Sequence, residues 1–414
     1  MNVSIAGLIV KADAAISGLG HAPSTDMQYR WAWSQFELFC SREGVDEFTE
    51  DVVALYLRAV AAEHREGRFK EWKRKLLRKS VLVLSEVART GTYQWGLSRR
   101  IHPNDALSAA IRPVQEQFEA WLGSQGLALA TRNLYATVSR RVLAWLPERG
   151  VADVRELSGA DVSAAVVFLG GHYRPGSMRT AVTAVRVLCR FLEDSGYCAG
   201  LSRAVPTRFS RRVNSAVVLP PGRIEELTNS PDVSKPSGRR DRALLLLAAR
   251  TGLRPVDMVG LRLSDIDWKQ GQIALTQHKT GTVLVLPLLA DVGEAIAGYL
   301  LHGRPAGVAD EHVFLRAQAP YVGLAPSSDL YHVASHAFAR AQVGSLDSTG
   351  RGFRVLRASF ATRMLEGGTP LPVISGALGH RGIDSAKHYL AADEKHMREC
   401  CLDFTGIEPR KERP

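Results

Sequence analysis

Five side chains in the second half of the chain are of types that could together move a phosphoryl group. They are Arg254 in Thr251-Gly-Leu-Arg254, Lys279 in His278-Lys-Thr-Gly281, Arg357 in Arg354-Val-Leu-Arg357, His380 in Leu378-Gly-His380, and Tyr389 nine residues further on. A phosphodiester under attack gathers negative charge on its non-bridging oxygens, and two fixed guanidiniums can bind those oxygens bidentately in place of a metal ion. A phenol, with a reference pKa of about 10, is a poor nucleophile until it is oriented and its proton accepted nearby. No member of the set is specific alone; a tyrosine on a C-terminal helix is usually core. Arg254 and Arg357 are the candidates for such a clamp.

The wider segments sharpen this. Ala248-Ala-Arg-Thr-Gly-Leu-Arg254-Pro-Val-Asp257-Met-Val-Gly-Leu261 resembles the first signature box of the tyrosine recombinase (phage integrase) family, a T-G-x-R turn followed by an acidic residue. Here that residue is Asp257, where glutamate is commoner. Arg354-Val-Leu-Arg357-Ala-Ser-Phe-Ala-Thr362 resembles the second box, Leu378-Gly-His380 with Tyr389 its closing part, and Lys279 stands where the family places its lysine. The resemblance implies that Tyr389 becomes covalently joined to a DNA 3′ phosphate, that Lys279 gives the leaving 5′ oxygen its proton, and that His380 hydrogen-bonds the phosphate. It also implies site-specific recombination of double-stranded DNA for a mobile element, by a tetramer cutting two strands at a time through a four-way junction. The chain is expected to be a monomer free in solution, with sister recombinases or accessory proteins as further partners. The bond energy stays in the phosphotyrosyl link, so no cofactor, ATP or metal is expected, and neither a GxxxxGK[ST] loop nor a metal-ligand cluster is present in the sequence. Two rival readings are a type IB topoisomerase, which would act as a monomer on one strand, and a DNA-binding accessory protein that kept the fold and lost cleavage.

One position departs from the family. The second box usually reads H-x-x-R, and Arg354 occupies the place of the histidine. A guanidinium is permanently protonated and cannot serve as a general base. The proton of Tyr389 then passes to another group or to water, and Arg354 is available as a third phosphate ligand. His388 is a tempting base, but helix neighbours point about 100° apart.

Positioning this set requires a fold that is mainly α with a small β-sheet: two helical, SAM-like DNA-binding units and a mixed α+β catalytic domain. The boundaries are set at 1–110, 111–203, a basic linker at 204–218, and 219–414. In the last of these, helices are expected over Gly222–Asn229, Arg239–Thr251 and Pro255–Leu261. Ile273–Thr276 and Val283–Leu286 should then pair as a hairpin whose Thr-Gly turn carries Lys279. The first half reads as a duplication. Thr25-Asp-Met-Gln-Tyr29 and Thr131-Arg-Asn-Leu-Tyr135 match at an offset of 106, and Arg78–Tyr93 matches Val182–Tyr197 at an offset of 104. Between these segments each copy breaks at a glycine, Gly44 or Gly150, and restarts with Thr49 or Ser158 as helix N-cap. The second copy resembles the family's core-binding domain.

Lys and Arg outnumber Asp and Glu by 53 to 42, a net charge of +11 that favours a polyanionic partner. The excess is local. Residues 65–79 (REGRFKEWKRKLLRK) include Lys73, Lys75 and Arg78 with Phe69 and Trp72 interleaved, and Arg179, Arg186 and Arg190 share a helix face opposite Val182, Val185, Leu188 and Leu192. With Arg211 and Arg212 of the linker, these are the candidate phosphate contacts, which position a duplex without reading its sequence. The five cysteines show no CxxC spacing, and no apolar run of membrane-spanning length occurs, so a cytoplasmic protein that makes no membrane contact is expected. The polar end from Glu408 reads equally as a tail that docks on a neighbouring subunit or as a frayed terminus.

Overall fold

A computed structural model describes residues 3–93, 104, 107–206, 217–325, 328–343, 352–380 and 382. The chain divides into two compact units, Met1–Gly96 with Asn214–Pro414, and Leu97–Val213. Among the described residues it is mostly helical with small antiparallel sheets.

The N-terminal part begins with strand β1 (Val3–Ser4), paired antiparallel with β2 (Glu47–Phe48). Four helices build it: α1 (Ile5–Ser17), α2 (Pro23–Glu43), α3 (Glu50–Arg65) and α4 (Glu71–Thr90). Ser4 caps α1 by accepting from the Gly7 amide, and Thr49 caps α3 by accepting from Val52. The core closes around the buried rings of Trp33, Phe36 and Tyr56 and the α4 residues Val83 and Leu84. The Trp33 indole donates to the Ser80 carbonyl at 3.0 Å, so the largest core ring leaves no polar atom unsatisfied.

The unit Leu97–Val213 repeats the plan with α5 (Arg112–Ser124), α6 (Leu129–Trp145), α7 (Gly159–Gly170) and α8 (Pro175–Asp194). Ser158 and Asp161 form a reciprocal capping box at the start of α7. Each copy thus has a leading helix, α1 or α5, ahead of the three matching segments legible in the sequence. The basic run of the first copy also lies largely inside α4, since that helix starts seven residues before the aligned segment. A short 3-10 turn, Leu201–Ala204, places Leu201 and Val205 in the second copy's core, so the stretch after α8 is packed through Val205.

In the remaining part, α9 (Pro221–Asn229) leads to α10 (Pro236–Thr251), whose residues Ala243 to Ala249 are all buried. Such a helix must be covered on every side. It packs against α9, against α11 (Pro255–Val259), and against α12 (Ala290–His302) and α14 (Phe353–Glu366). The sheet orders β3 (Ile266–Asp267), β4 (Gln272–Thr276) and β5 (Val283–Pro287), with Thr276 opposite Val283. Ile273, Leu275, Leu284 and Leu286 face the core while the alternate residues face out. The hairpin is as the sequence predicts; β3 is an addition. Helices α13 (Ser328–Arg340) and α15 (Leu371–Ala377) complete the described part.

Candidate active site

Helix α10 ends at Gly252, which has φ +62° and donates its amide to the Ala248 carbonyl. Both conformation and space demand glycine here: a Cβ would lie 2.6 Å from Phe360 Cδ1 and 2.9 Å from Leu378 Cδ2. This close approach brings the end of α10 against α14 and the Leu378 segment. The last carbonyls of a helix have no partner within it, and α14 supplies two. Arg357 Nη1 donates to Gly252 O at 2.6 Å, and Arg363 Nη2 donates to Ala249 O at 2.8 Å. Burial pushes the Arg363 guanidinium below its usual range, assisted by the charge of Arg250.

Arg357 is only 8% exposed. Its Nη2 donates to Leu378 O at 3.0 Å and lies 2.8 Å from His380 Nε2. A permanently charged guanidinium presents only donors, so the histidine nitrogen facing it is the acceptor and the other ring nitrogen carries the hydrogen. The backbone of His380 is fixed by its amide donating to Ser375 O at 2.9 Å.

Arg254 is the extended residue that opens α11, with Pro255 at the first helical position. Its Nη1 donates to Gln277 Oε1 at 2.8 Å, and Gln277 Nε2 donates in turn to Leu378 O at 3.2 Å. Arg254, Arg357 and His380, separated in sequence, therefore meet around one carbonyl. Asp257, 5% exposed, accepts from the His278 amide at 2.8 Å and so ties α11 to the foot of the hairpin loop.

Lys279 lies exposed in that loop, between β4 and β5, where Gly281 takes φ +66° and donates its amide to Gln277 O. Arg354 is exposed on the first turn of α14 and makes no hydrogen bond or ion pair to a described residue. It is not brought into the cluster formed by Arg357, one turn further along. Tyr389 and His388 lie outside the described residues, as do Arg211, Arg212 and the tail from Glu408. Gln277 is the residue that sequence reasoning passes over. Its signal is faint: a polar side chain at an inward position, continuing the alternation of Ile273 and Leu275.

The basic faces are partly engaged. Lys73 Nζ lies 5.1 Å from the Trp31 ring centroid and 5.2 Å from that of Phe69. Arg74 forms a bidentate pair with Glu71, both bonds 2.6 Å, which draws that carboxyl down to about 2. Lys75 is exposed, 3.8 Å from Glu71, and Arg78 is exposed with no described partner. On α8, Val182, Val185, Leu188 and Leu192 are buried as the sequence predicts, and Arg179 and Arg190 are exposed. Arg186 instead donates to the Pro206 carbonyl at 2.5 Å. No helix among the described residues is long and apolar enough to cross a membrane.

A family model described as the phage integrase family matches residues 218–396. The tyrosine recombinase XerD of Mycobacterium tuberculosis is 31% identical over 304 residues, covering 69% of this chain and 94% of its own. Among solved structures, the post-cleavage complex of the XerH site-specific recombinase with a palindromic difH substrate aligns with a TM-score of 0.57 at 16% identity, over 69% of this chain and 83% of that one. A lambda integrase tetramer bound to a Holliday junction aligns with a TM-score of 0.51 at 17% identity, over 82% of this chain and 90% of that one. At these identities the structural likeness is one of fold.

Proposed function

The chain belongs to the tyrosine recombinase (phage integrase) family, and from that premise we propose that it cuts and rejoins DNA at specific sites through a phosphotyrosyl intermediate on Tyr389. One observation supports this above the others: Arg254 and Arg357 reach a single locus, Arg357 by donating to the Leu378 carbonyl and Arg254 through Gln277. The two guanidiniums present only donors to the non-bridging oxygens of a phosphodiester, with the His380 ring beside Arg357.

In this reading the clamp binds the scissile phosphate and His380 adds a hydrogen bond. The Tyr389 oxygen attacks phosphorus, the bond to the 5′ oxygen breaks, and Lys279 protonates the departing hydroxyl. The phenol proton goes to water or to a group other than Arg354. Arg354, exposed on the first turn of α14, acts as a further phosphate contact. The helical units, 1–110 and 111–203, hold the duplex through Lys73, Lys75, Arg78, Arg179 and Arg190, with the 204–218 linker along the phosphates. The catalytic part is 219–414. Assembly on DNA is as a tetramer, by analogy with the lambda integrase complex.

Nicked suicide duplexes built from the DNA flanking its own gene test this. The wild-type chain should leave a covalent adduct on a 3′ phosphate, and Tyr389→Phe should bind the same duplex and leave none. Arg354→His should retain or raise cleavage. An adduct persisting in Tyr389→Phe removes Tyr389 as nucleophile. Binding by the wild type without any adduct indicates an accessory DNA-binding protein, and relaxation of supercoiled DNA by a monomer indicates a topoisomerase.

A further inference from the structure

We propose that Gln277 is the positioning residue of the phosphate clamp: its side-chain amide sets Arg254 relative to Arg357 and His380 and holds the foot of the Lys279 loop. The inference rests on the recombinase reading and adds to it a residue that touches neither DNA nor nucleophile.

Gln277 is 1% exposed, and the hydrogen bonds of its side chain to described residues all go to the site. Oε1 accepts from Arg254 Nη1 at 2.8 Å and from Thr280 Oγ1 at 2.9 Å, and Nε2 donates to Leu378 O at 3.2 Å. These bonds fix the amide's orientation, because only the oxygen can receive a guanidinium and only the nitrogen can donate to a carbonyl. Both lone pairs of Oε1 are then used. The backbone of Gln277 closes the loop, its amide donating to Thr282 O at 2.9 Å and its carbonyl accepting from Gly281 at 2.8 Å.

The glycine of Leu378-Gly379-His380 belongs to the same device. Gly379 has φ +61°, and a Cβ there would lie 2.1 Å from Gln277 Oε1 and 2.4 Å from its Cδ. The amide therefore packs directly on the backbone between Leu378, whose carbonyl Arg357 uses, and His380, whose ring Arg357 touches. Leu378 O receives both Gln277 Nε2 and Arg357 Nη2, so the two arginines share one reference atom. A clamp for a transition state works by being built before the charge develops. Here a neutral amide builds it without adding a charge that would compete with phosphate for the guanidiniums.

Gln277→Met removes the acceptor and the donor while keeping the length and flexibility of the side chain. Gln277→Glu keeps an oxygen for Arg254 and loses the donor to Leu378. In single-turnover cleavage of the nicked suicide duplex, Gln277→Met should slow adduct formation by on the order of 10²-fold, the scale of a small misplacement of catalytic groups. Duplex affinity and thermal midpoint should stay close to wild type, and Gln277→Glu should recover part of the rate. A double-mutant cycle separates positioning from general support: adding Gln277→Met to Arg254→Ala should slow cleavage by much less than Gln277→Met slows the wild type.

Fully multiplicative rates overturn the proposal, as does a Gln277→Met protein that cleaves at the wild-type rate. A rate loss that follows a loss of duplex affinity and a fall in melting temperature assigns Gln277 to stability and overturns it too. Failure of the wild-type chain to form any adduct overturns the recombinase reading itself; normal wild-type cleavage with no effect at Gln277 overturns only this one.

Discussion

In the catalytic part Arg254 and Arg357 are held by hydrogen bonds within the chain, whereas most basic side chains singled out on the helical units point outward with little to hold them. Arg357 is almost fully buried and shares its hydrogens among Gly252 O, Leu378 O and His380. Arg78, Arg179 and Arg190 carry the same group on helix surfaces and make no hydrogen bond to a described residue. Burying a guanidinium costs solvation that only well-placed acceptors offset. That cost is accepted where a charge must be in place to within a fraction of an ångström. A polyanion's smooth field can be met by long, freely rotating side chains. The two populations therefore differ in what a mutation should do to them.

Arg357→Ala should have the largest effect, slowing adduct formation by 10²–10³-fold or more, about the scale for removing one donor to a developing oxyanion. It also strands the carbonyl of Gly252 and leaves Leu378 O only its bond from Gln277, so a fall in melting temperature should accompany the rate loss. Near-normal cleavage by that variant would break the contrast, since the buried guanidinium would then be structural only. Next comes Gly252→Ala. The left-handed backbone and the Phe360 and Leu378 contacts together should cost about 2–4 kcal/mol in chemical denaturation. A small cost would show that α10 and α14 approach less tightly than the geometry requires. Smallest are Arg78→Ala and Arg179→Ala on the open faces. Each should change stability by less than about 0.5 kcal/mol and lower the slope of log affinity against log salt by about 1. A slope left unchanged by both would take these faces out of the duplex contact and sharpen the division to the catalytic part alone.

The two helical copies differ in a related way. Trp33 and Ser139 correspond at the 106-residue offset. The first fills its core with an indole bonded to Ser80 O; the second builds a polar chain in which Ser139 donates to Gln115 Oε1 at 2.8 Å and Gln115 donates to Ala136 O at 3.1 Å. At this position one copy places a large ring and the other a buried hydrogen-bonded pair.

What the sequence determined by itself is what local chemistry decides. Thr49 and Ser158 announce helix starts because the hydroxyl that caps is a few residues from the amide it serves. The alternation around residues 273–286 and the Thr-Gly pair define a hairpin and put Lys279 on its loop. The order of Arg254, Lys279, Arg357 and His380 points to the family, and Asp257 can be picked out as a neighbour. The leading helix of the first copy was within reach as well, since Ile5, Leu8, Ala12 and Ile16 fall on one helical face. Tertiary structure alone decided how the clamp is held. Gln277 meets Leu378 across 101 residues, and Arg357 meets Gly252 across 105. Nothing near Gln277 in the chain distinguishes it from an ordinary polar residue at a strand end. Its role exists because Gly252 and Gly379 let three backbone segments close to within contact, and a buried amide is then the group that can accept from an arginine and donate to a carbonyl at once.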